Sequence, residues 1–152
     1  MNNLSTVLQD YILEPAHVGF VVEDLGAAVA EVVRVYGIDP GSVEYQPAPG
    51  EAADTRFAFF RVAGQLFEYI EPVADEFKRL LLDSASGGGG INHLAWNVRD
   101  LPGALERLKE QGIVPGHVTP AGMVTMGKRR MVYLDPATTG GLLIELLETL
   151  ES

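Results

Sequence analysis

The sequence contains no cysteine among its 152 residues. This absence excludes disulfide bonds and metal sites built from thiolates, so any bound metal must be held by imidazole nitrogen and carboxylate oxygen. Histidine is also scarce, because the chain has only 3. A chain without cysteine suits a reducing compartment, and we expect a cytoplasmic protein.

Long apolar runs and an excess of basic residues are also missing. No stretch approaches the roughly 18 consecutive apolar residues of a membrane span, and the start MNNLSTVLQDYILEP does not resemble a secretory signal. The 11 Lys and Arg residues are outnumbered by 21 Asp and Glu, and the net charge of -10 is spread along the whole chain. The composition therefore predicts an acidic, solvated surface that binds neither nucleic acid nor membrane.

What the sequence does contain is an internal repeat. The segment HVGFVVEDLGAAVAEVVRVYGI begins at His17, and the segment HLAWNVRDLPGALERLKEQGI begins at His93, which is 76 residues later. Each copy reads as a strand, a short turn and a helix, with Asp24 and Asp100 as the predicted N-caps. A repeat of this kind predicts two similar modules in one chain.

Each copy continues with further strand-like segments. FAFFRV and RRMVYL precede the apolar runs QLFEYIEP and GLLIELLE, and turn signals separate them. Each module is then β-α-β-β-β, with module 1 at about 14–72, a linking helix and Gly-rich segment at 73–90, and module 2 at about 91–149. We therefore predict a single α+β domain over residues 1–152, with two tandem modules and a curved, mostly antiparallel sheet.

A glutamate lies inside the last strand of each module. Glu68 follows His17 by 51 residues and Glu145 follows His93 by 52, so both copies repeat the His and Glu positions to within one residue. Side chains alternate along a strand, so each histidine shares a face with small neighbours and the bulky residues lie opposite. Buried carboxylates are costly without a positive partner, and two carboxylates with two neutral imidazoles balance a divalent cation. The four residues therefore predict a site for one divalent ion, such as zinc, cobalt, nickel, manganese or iron.

Each of these residues also has a structural interpretation. A single histidine near the start of a strand is more often a structural residue than a ligand, and a single strand glutamate can belong to a salt bridge. The repetition of both residue types in both modules favours the ligand interpretation. His117 has no counterpart in the other module, so we interpret it as a loop residue. The basic run from Lys128 to Arg130 enters a strand, where positive charge can discourage edge aggregation.

The segments GGINHLAWNVRDLPGALERLKEQGI and YLDPATTGGLLIELLE carry a resemblance to a known family. They resemble the vicinal oxygen chelate superfamily, which includes glyoxalase I, methylmalonyl-CoA epimerase, extradiol dioxygenases and the bleomycin-resistance proteins. The resemblance runs from about residue 17 to residue 148 and is closest to the methylmalonyl-CoA epimerase branch. It implies a glyoxalase-like cup of paired modules with one metal inside, held by His17, Glu68, His93 and Glu145.

The resemblance also implies a reaction. In this superfamily a cation acts as a Lewis acid on a substrate carbonyl and stabilises the enolate formed when a carbon-bound proton is removed. It implies that Glu145 is both ligand and acid/base, and that a second carboxylate delivers a proton from the opposite face. Glu51 is the nearest residue for that second role, and Glu44 and Asp54 are alternatives.

Three further expectations come from the resemblance. Lys128 and Arg130 correspond to a basic segment that can contact an anionic substrate. Family members commonly dimerise, so we expect a homodimer that acts on a small-molecule substrate. At the position of Glu68 the epimerases commonly have glutamine, whereas bacterial-type glyoxalase I has glutamate.

Four functions remain open at this point. The leading one is an epimerase that moves a proton next to a carbonyl, on an acyl-CoA or a carbonyl compound of specialised metabolism. A glyoxalase I-type lyase is second, because Glu68 favours it and the TGGLLIEL segment does not. A ring-cleaving dioxygenase uses two histidines and one carboxylate, so a fourth protein ligand argues against it. A non-catalytic, resistance-type binding protein is last, because such proteins typically lack the four ligands.

Overall fold

The computed structural model describes residues 8–82 and 90–151. Its strands and helices are β1 (Ile12–Val21), α1 (Leu25–Tyr36), β2 (Glu44–Gln46), β3 (Thr55–Val62), β4 (Gln65–Pro72), α2 (Asp75–Leu82), β5 (Gly90–Val98), α3 (Leu101–Glu110), β6 (Val124–Met126), β7 (Arg129–Tyr133) and β8 (Ile144–Thr149). They confirm the predicted α+β class and the β-α-β-β-β order in each half. Most of the predicted Gly-rich link, residues 83–89, lies outside the described residues. Within the described ranges, no helix has the length and apolar character needed to cross a membrane.

The chain divides into two compact units. The first unit comprises residues 17–92, and the second unit comprises residues 93–152 together with residues 1–16. The boundary at residue 92 falls next to the predicted start of module 2. The sequence repeat did not predict that the segment before His17 belongs to the second unit. That both modules form a single domain stays a prediction.

The described residues of the first unit form strands in the order β2-β3-β4-β1. β1 and β4 are parallel, whereas β3 pairs antiparallel with β2 and with β4. Ala63 and Gly64 form the two-residue turn between β3 and β4, with φ of 49° and 84°. Two left-handed residues give a turn whose twist matches that of the flanking strands. Helix α1 packs against β3 and β4, and the buried core residues are Leu25, Val29, Val32, Val43, Ala58 and Phe60.

The second unit has the same arrangement, in the order β5-β8-β7-β6. β5 and β8 are parallel, and the other two pairings are antiparallel. Tyr11 and Ile12 pack against this unit's core, and the Arg99 amide donates to the Tyr11 carbonyl over 2.9 Å. The buried core residues are Val98, Leu101, Leu108, Val132, Leu134 and Leu146. In each unit the pairing is therefore mostly antiparallel, as predicted.

The helices α1 and α3 begin at the aspartates that the sequence predicted. Asp24 Oδ1 accepts a hydrogen bond from the Ala27 amide at 3.0 Å, and Asp100 Oδ1 accepts one from the Gly103 amide at 3.1 Å. These bonds satisfy amides that have no partner inside the helix. Both N-cap predictions are confirmed.

A second carboxylate at each helix start was not predicted. The amide of Leu25 donates to Glu71 Oε2 at 2.6 Å, and the amide of Leu101 donates to Glu148 Oε2 at 2.8 Å. Each glutamate comes from the last strand of its own unit. A negative charge next to the N-terminus of a helix is favourable, so each bond fixes the helix to the strand.

Candidate functional site

The first unit buries a histidine beside a glutamate. His17 lies on β1 and Glu68 on β4, and the register of these parallel strands pairs Gly19 with Glu68. Cross-strand partners point to the same face, and His17 is two residues before Gly19, so His17 and Glu68 share a face. His17 Nε2 and Glu68 Oε2 are 3.6 Å apart, and both residues are buried.

The second unit repeats this pair in the equivalent register. Ala95 on β5 is paired with Glu145 on β8, and His93 is two residues before Ala95. His93 Nε2 and Glu145 Oε2 are 3.0 Å apart, with relative exposures of 1% and 5% for the two residues. The duplicated sequence therefore encodes a duplicated buried pair.

Small residues stand opposite both carboxylates. Gly19 has no side chain and Ala95 has only a methyl group, so neither fills the space above its partner glutamate. Alternation along β5 puts Val98, which belongs to the buried core, on the face opposite His93 and Ala95. The registers show that Gly19 and Ala95 are the cross-strand partners of the two glutamates.

Tyr133 flanks Glu145 on its other side. It is the cross-strand partner of Glu145 on β7 and is itself buried. Its ring meets the His93 ring edge to face, with centroids 5.2 Å apart. The corresponding partner of Glu68 in the first unit is Phe59. The sequence placed Tyr133 in a strand but did not assign it to the Glu145 face, although strand alternation could have done so.

His117 is the second residue that the sequence interpretation missed. It lies in the loop between α3 and β6, as predicted, but its ring is close to Tyr133, with centroids 5.6 Å apart. Burial, and to a lesser degree the nearby His93, lowers the pKa of His117 below its ordinary value. This shift favours the neutral imidazole over its protonated form.

The three carboxylates considered for a second acid/base lie in or beside the segment between β2 and β3. Glu51 is exposed in a turn, and its carbonyl accepts a hydrogen bond from Arg56 Nη2. Asp54 and Glu44 are also exposed. Glu44 lies on β2 opposite Phe59, which is opposite Glu68, so Glu44 and Glu68 share one face of the sheet. Of the three, Glu44 is the one whose backbone register places it in line with Glu68.

The basic run begins in a turn and continues into β7. Arg130 Nη2 is 2.9 Å from Glu148 Oε2, and Arg130 is the cross-strand partner of Glu148. Glu148 is three residues after Glu145, so alternation puts Arg130 on the face opposite Glu145. The Arg130 guanidinium pairs there with a carboxylate on the helix side, and its expected contact with substrate stays a prediction. Lys128 is exposed in the turn before β7.

The donor chemistry of the two pairs fits a divalent metal. Each pair combines one imidazole nitrogen with one carboxylate oxygen, and such nitrogen and oxygen donors suit zinc, cobalt, nickel, manganese or iron. His17, His93 and Glu145 can each supply a ligand atom to a metal ion. Glu68 is not in that set of three, so its role as a ligand stays a prediction.

The comparisons with known proteins agree with the fold. The chain is 27% identical over 132 residues to an ethylmalonyl-CoA/methylmalonyl-CoA epimerase of Cereibacter sphaeroides, covering 86% of this chain and 93% of the relative. The crystal structure of methylmalonyl-CoA epimerase from Mycobacterium tuberculosis is similar with a TM-score of 0.70 and 26% identity, covering 92% of this chain and 90% of that one.

A third similar protein shares the fold at lower identity. A variant of the Streptomyces coelicolor methylmalonyl-CoA epimerase, in complex with 2-nitronate-propionyl-CoA, has a TM-score of 0.64 and 19% identity, covering 92% of this chain and 99% of that one. These similarities confirm the resemblance that the sequence motifs carried. The chain also matches one superfamily over residues 16–133, which is most of its length. It therefore belongs to the Glyoxalase/Bleomycin resistance protein/Dioxygenase superfamily.

Proposed function

We propose that this protein is a metal-dependent epimerase that moves a proton at the carbon next to the carbonyl of an acyl-CoA. The observation that carries the proposal is the repeated burial of a histidine beside a glutamate, at the same register in both units. Its similarity to proteins named as ethylmalonyl-CoA and methylmalonyl-CoA epimerases supports the choice of reaction and substrate class.

The proposed metal ligands are His17, Glu68, His93 and Glu145, acting together on one divalent ion. Two neutral imidazoles and two carboxylates neutralise a double positive charge, which offsets the cost of burying both acids. A divalent cation, when bound, supplies Lewis-acid polarisation of the substrate carbonyl. The candidate metals are cobalt, nickel, zinc, manganese and iron.

Glu145 is the proposed base that accepts the carbon-bound proton. Its carboxylate is buried and lies within hydrogen-bond distance of His93, while Tyr133 is its cross-strand partner on the other side. These neighbours hold the carboxylate in one orientation and exclude water from it. A fixed, dry base meets the geometric requirement for proton transfer to and from carbon.

Epimerisation also needs a second group that returns the proton to the opposite face of the substrate. Glu51 is the proposed residue on the basis of the sequence resemblance, and Glu44 is supported by the register that places it on the face of Glu68. Replacing each by glutamine distinguishes them, because loss of the second acid stops inversion but leaves proton removal by Glu145 in place. The exposed Lys128 remains the proposed contact for an anionic part of the substrate.

We further predict that the protein forms a homodimer, is cytoplasmic and has no nucleic-acid or membrane partner. The glyoxalase I-type lyase remains a second candidate, because a carboxylate at Glu68 favours it. A lyase and an epimerase differ in substrate, so one set of assays separates them.

Solvent exchange tests the proposed reaction directly. We expect the purified protein, supplied with each divalent metal in turn, to incorporate deuterium from D₂O at the carbon between the two carbonyl groups of methylmalonyl-CoA. The Glu145→Gln variant is the control and should lose this exchange. Absence of exchange with every metal, together with turnover of a thiol adduct of a 2-oxoaldehyde, would assign the lyase function instead.

A further inference from the structure

His117 is held in a strained backbone conformation. Its φ is 56°, in the left-handed region that few residues other than glycine adopt. The turn around it is fixed to β7, because the Gly116 amide donates to the Tyr133 carbonyl at 2.9 Å. The buried Thr119 hydroxyl in turn accepts from the Tyr133 amide at 2.8 Å. The fold thus holds His117 in a left-handed conformation, which is uncommon for residues other than glycine although histidine is among those enriched there.

The imidazole of His117 also has unused hydrogen-bonding capacity. Both ring nitrogens are buried, and neither has a hydrogen-bond partner within residues 8–82 and 90–151. A buried polar group without a partner is costly, and native proteins rarely keep one without a reason. The neutral ring offers one N–H donor and one acceptor nitrogen.

The position of His117 connects it to the proposed base. Its ring contacts Tyr133, and Tyr133 contacts His93 and is the strand partner of Glu145. All four residues belong to the second unit. Strain and an unsatisfied buried donor, both next to reactive groups, are features that accompany functional sites.

We propose that His117 is a substrate-contacting residue that determines specificity, and that its N–H donates a hydrogen bond to a carboxylate oxygen of a malonyl-type acyl group. The inference rests on the proposed function, because it names which acyl-CoA the same site prefers. An acyl group with a free carboxylate satisfies the buried donor, whereas a plain acyl group leaves it without a partner. Sites with a buried polar group reject ligands that cannot pair with it.

The alternative is that His117 only fills space beside Tyr133, and two substitutions separate these roles. His117→Phe keeps an aromatic ring for the Tyr133 contact and removes the hydrogen bond. His117→Gly removes the ring and relieves the positive φ, so the melting temperature should stay the same or rise by about 2–4 °C. A stable fold in the glycine variant means that any loss of function cannot be ascribed to unfolding.

The test measures the affinity for 2-nitronate-propionyl-CoA and for propionyl-CoA, and kcat/KM for methylmalonyl-CoA, in the metal-loaded protein. We expect both variants to lose roughly tenfold to a hundredfold in kcat/KM and in nitronate affinity, as for a hydrogen bond to a charged group. Propionyl-CoA affinity should change less than threefold, and so should the metal content. Variants that match the wild type in both ligands overturn the role of His117 while the epimerase function stands. A wild-type protein that neither binds nor exchanges any acyl-CoA overturns both.

Discussion

Glutamine substitutions at Glu68 and Glu145 should have very different effects on catalysis. Each change keeps the shape of the side chain, removes one negative charge, and leaves one oxygen that can still bind a cation. The two glutamates occupy equivalent registers in the two units, so each variant serves as the control for the other. The difference between them isolates proton transfer from metal binding.

The expected magnitudes follow from the proposed roles. Glu145→Gln removes the general base, which typically lowers kcat by about 10²–10⁴-fold, or roughly 3–5 kcal/mol in activation free energy. Glutamine has nearly the size and shape of glutamate, so we expect the fold to persist. Glu68→Gln keeps an oxygen donor beside His17, and metal affinity should fall by about 10–100-fold while kcat at saturating metal falls less than about tenfold.

The assay is deuterium incorporation into methylmalonyl-CoA, measured by mass spectrometry under metal-saturated conditions. Circular dichroism and thermal unfolding check that both variants remain folded. Equal losses of kcat in the two variants, or wild-type exchange by Glu145→Gln, would refute the assignment of Glu145 as the base. A larger loss of kcat in Glu68→Gln than in Glu145→Gln would assign the role of the base to Glu68 instead.

Three further predictions concern stability. Glu148→Ala should lower the free energy of unfolding by about 2–4 kcal/mol, because it leaves both the Leu101 amide and the half-buried Arg130 without their acceptor. Glu71→Ala should lower it by only about 1–2 kcal/mol, because only the Leu25 amide loses its acceptor. Urea unfolding of the two variants measures this difference. Gly116→Ala should be destabilising by about 1–3 kcal/mol in the same assay, because a Cβ there would lie 2.7 Å from the backbone Cα of Asp135. Burial, and to a lesser degree the nearby Tyr36, raises the pKa of Tyr69 above 10.0. The folded state therefore holds a proton that the unfolded state releases. Wild-type stability should therefore fall relative to Tyr69→Phe as pH rises above 10.0, and equal slopes for the two proteins would contradict this.

The sequence predicted the frame of the fold and the two pairs because both are encoded locally and then repeated. Strand alternation around His17 and His93 gives the face of each histidine, and the aspartates before the helices are local capping signals. That both glutamates lie in the last strand of their module follows from the assumption that duplicated segments fold alike. These features depend on short-range rules or on the repeat itself.

The features that were missed depend on register and loop conformation. The pairing of Arg130 with Glu148 depends on strand register, because a one-residue shift moves a side chain to the opposite face. His117 contacts Tyr133 only because Thr119 and Gly116 bond to β7, and no local pattern predicts those bonds. Glu71 and Glu148 recur in the two copies of the repeat. Their partners, the amides of Leu25 and Leu101, are far away along the chain, so no local pattern predicts these bonds.

The proposal that both units contribute to one metal centre is tested most directly by the number of ions bound per chain. Titration of metal-free protein with cobalt, followed by absorption and elemental analysis, should give one ion per chain. His17→Ala and His93→Ala should each abolish tight binding, although they lie in different units. Two ions per chain in the wild type, or either variant retaining wild-type affinity, would contradict a shared centre.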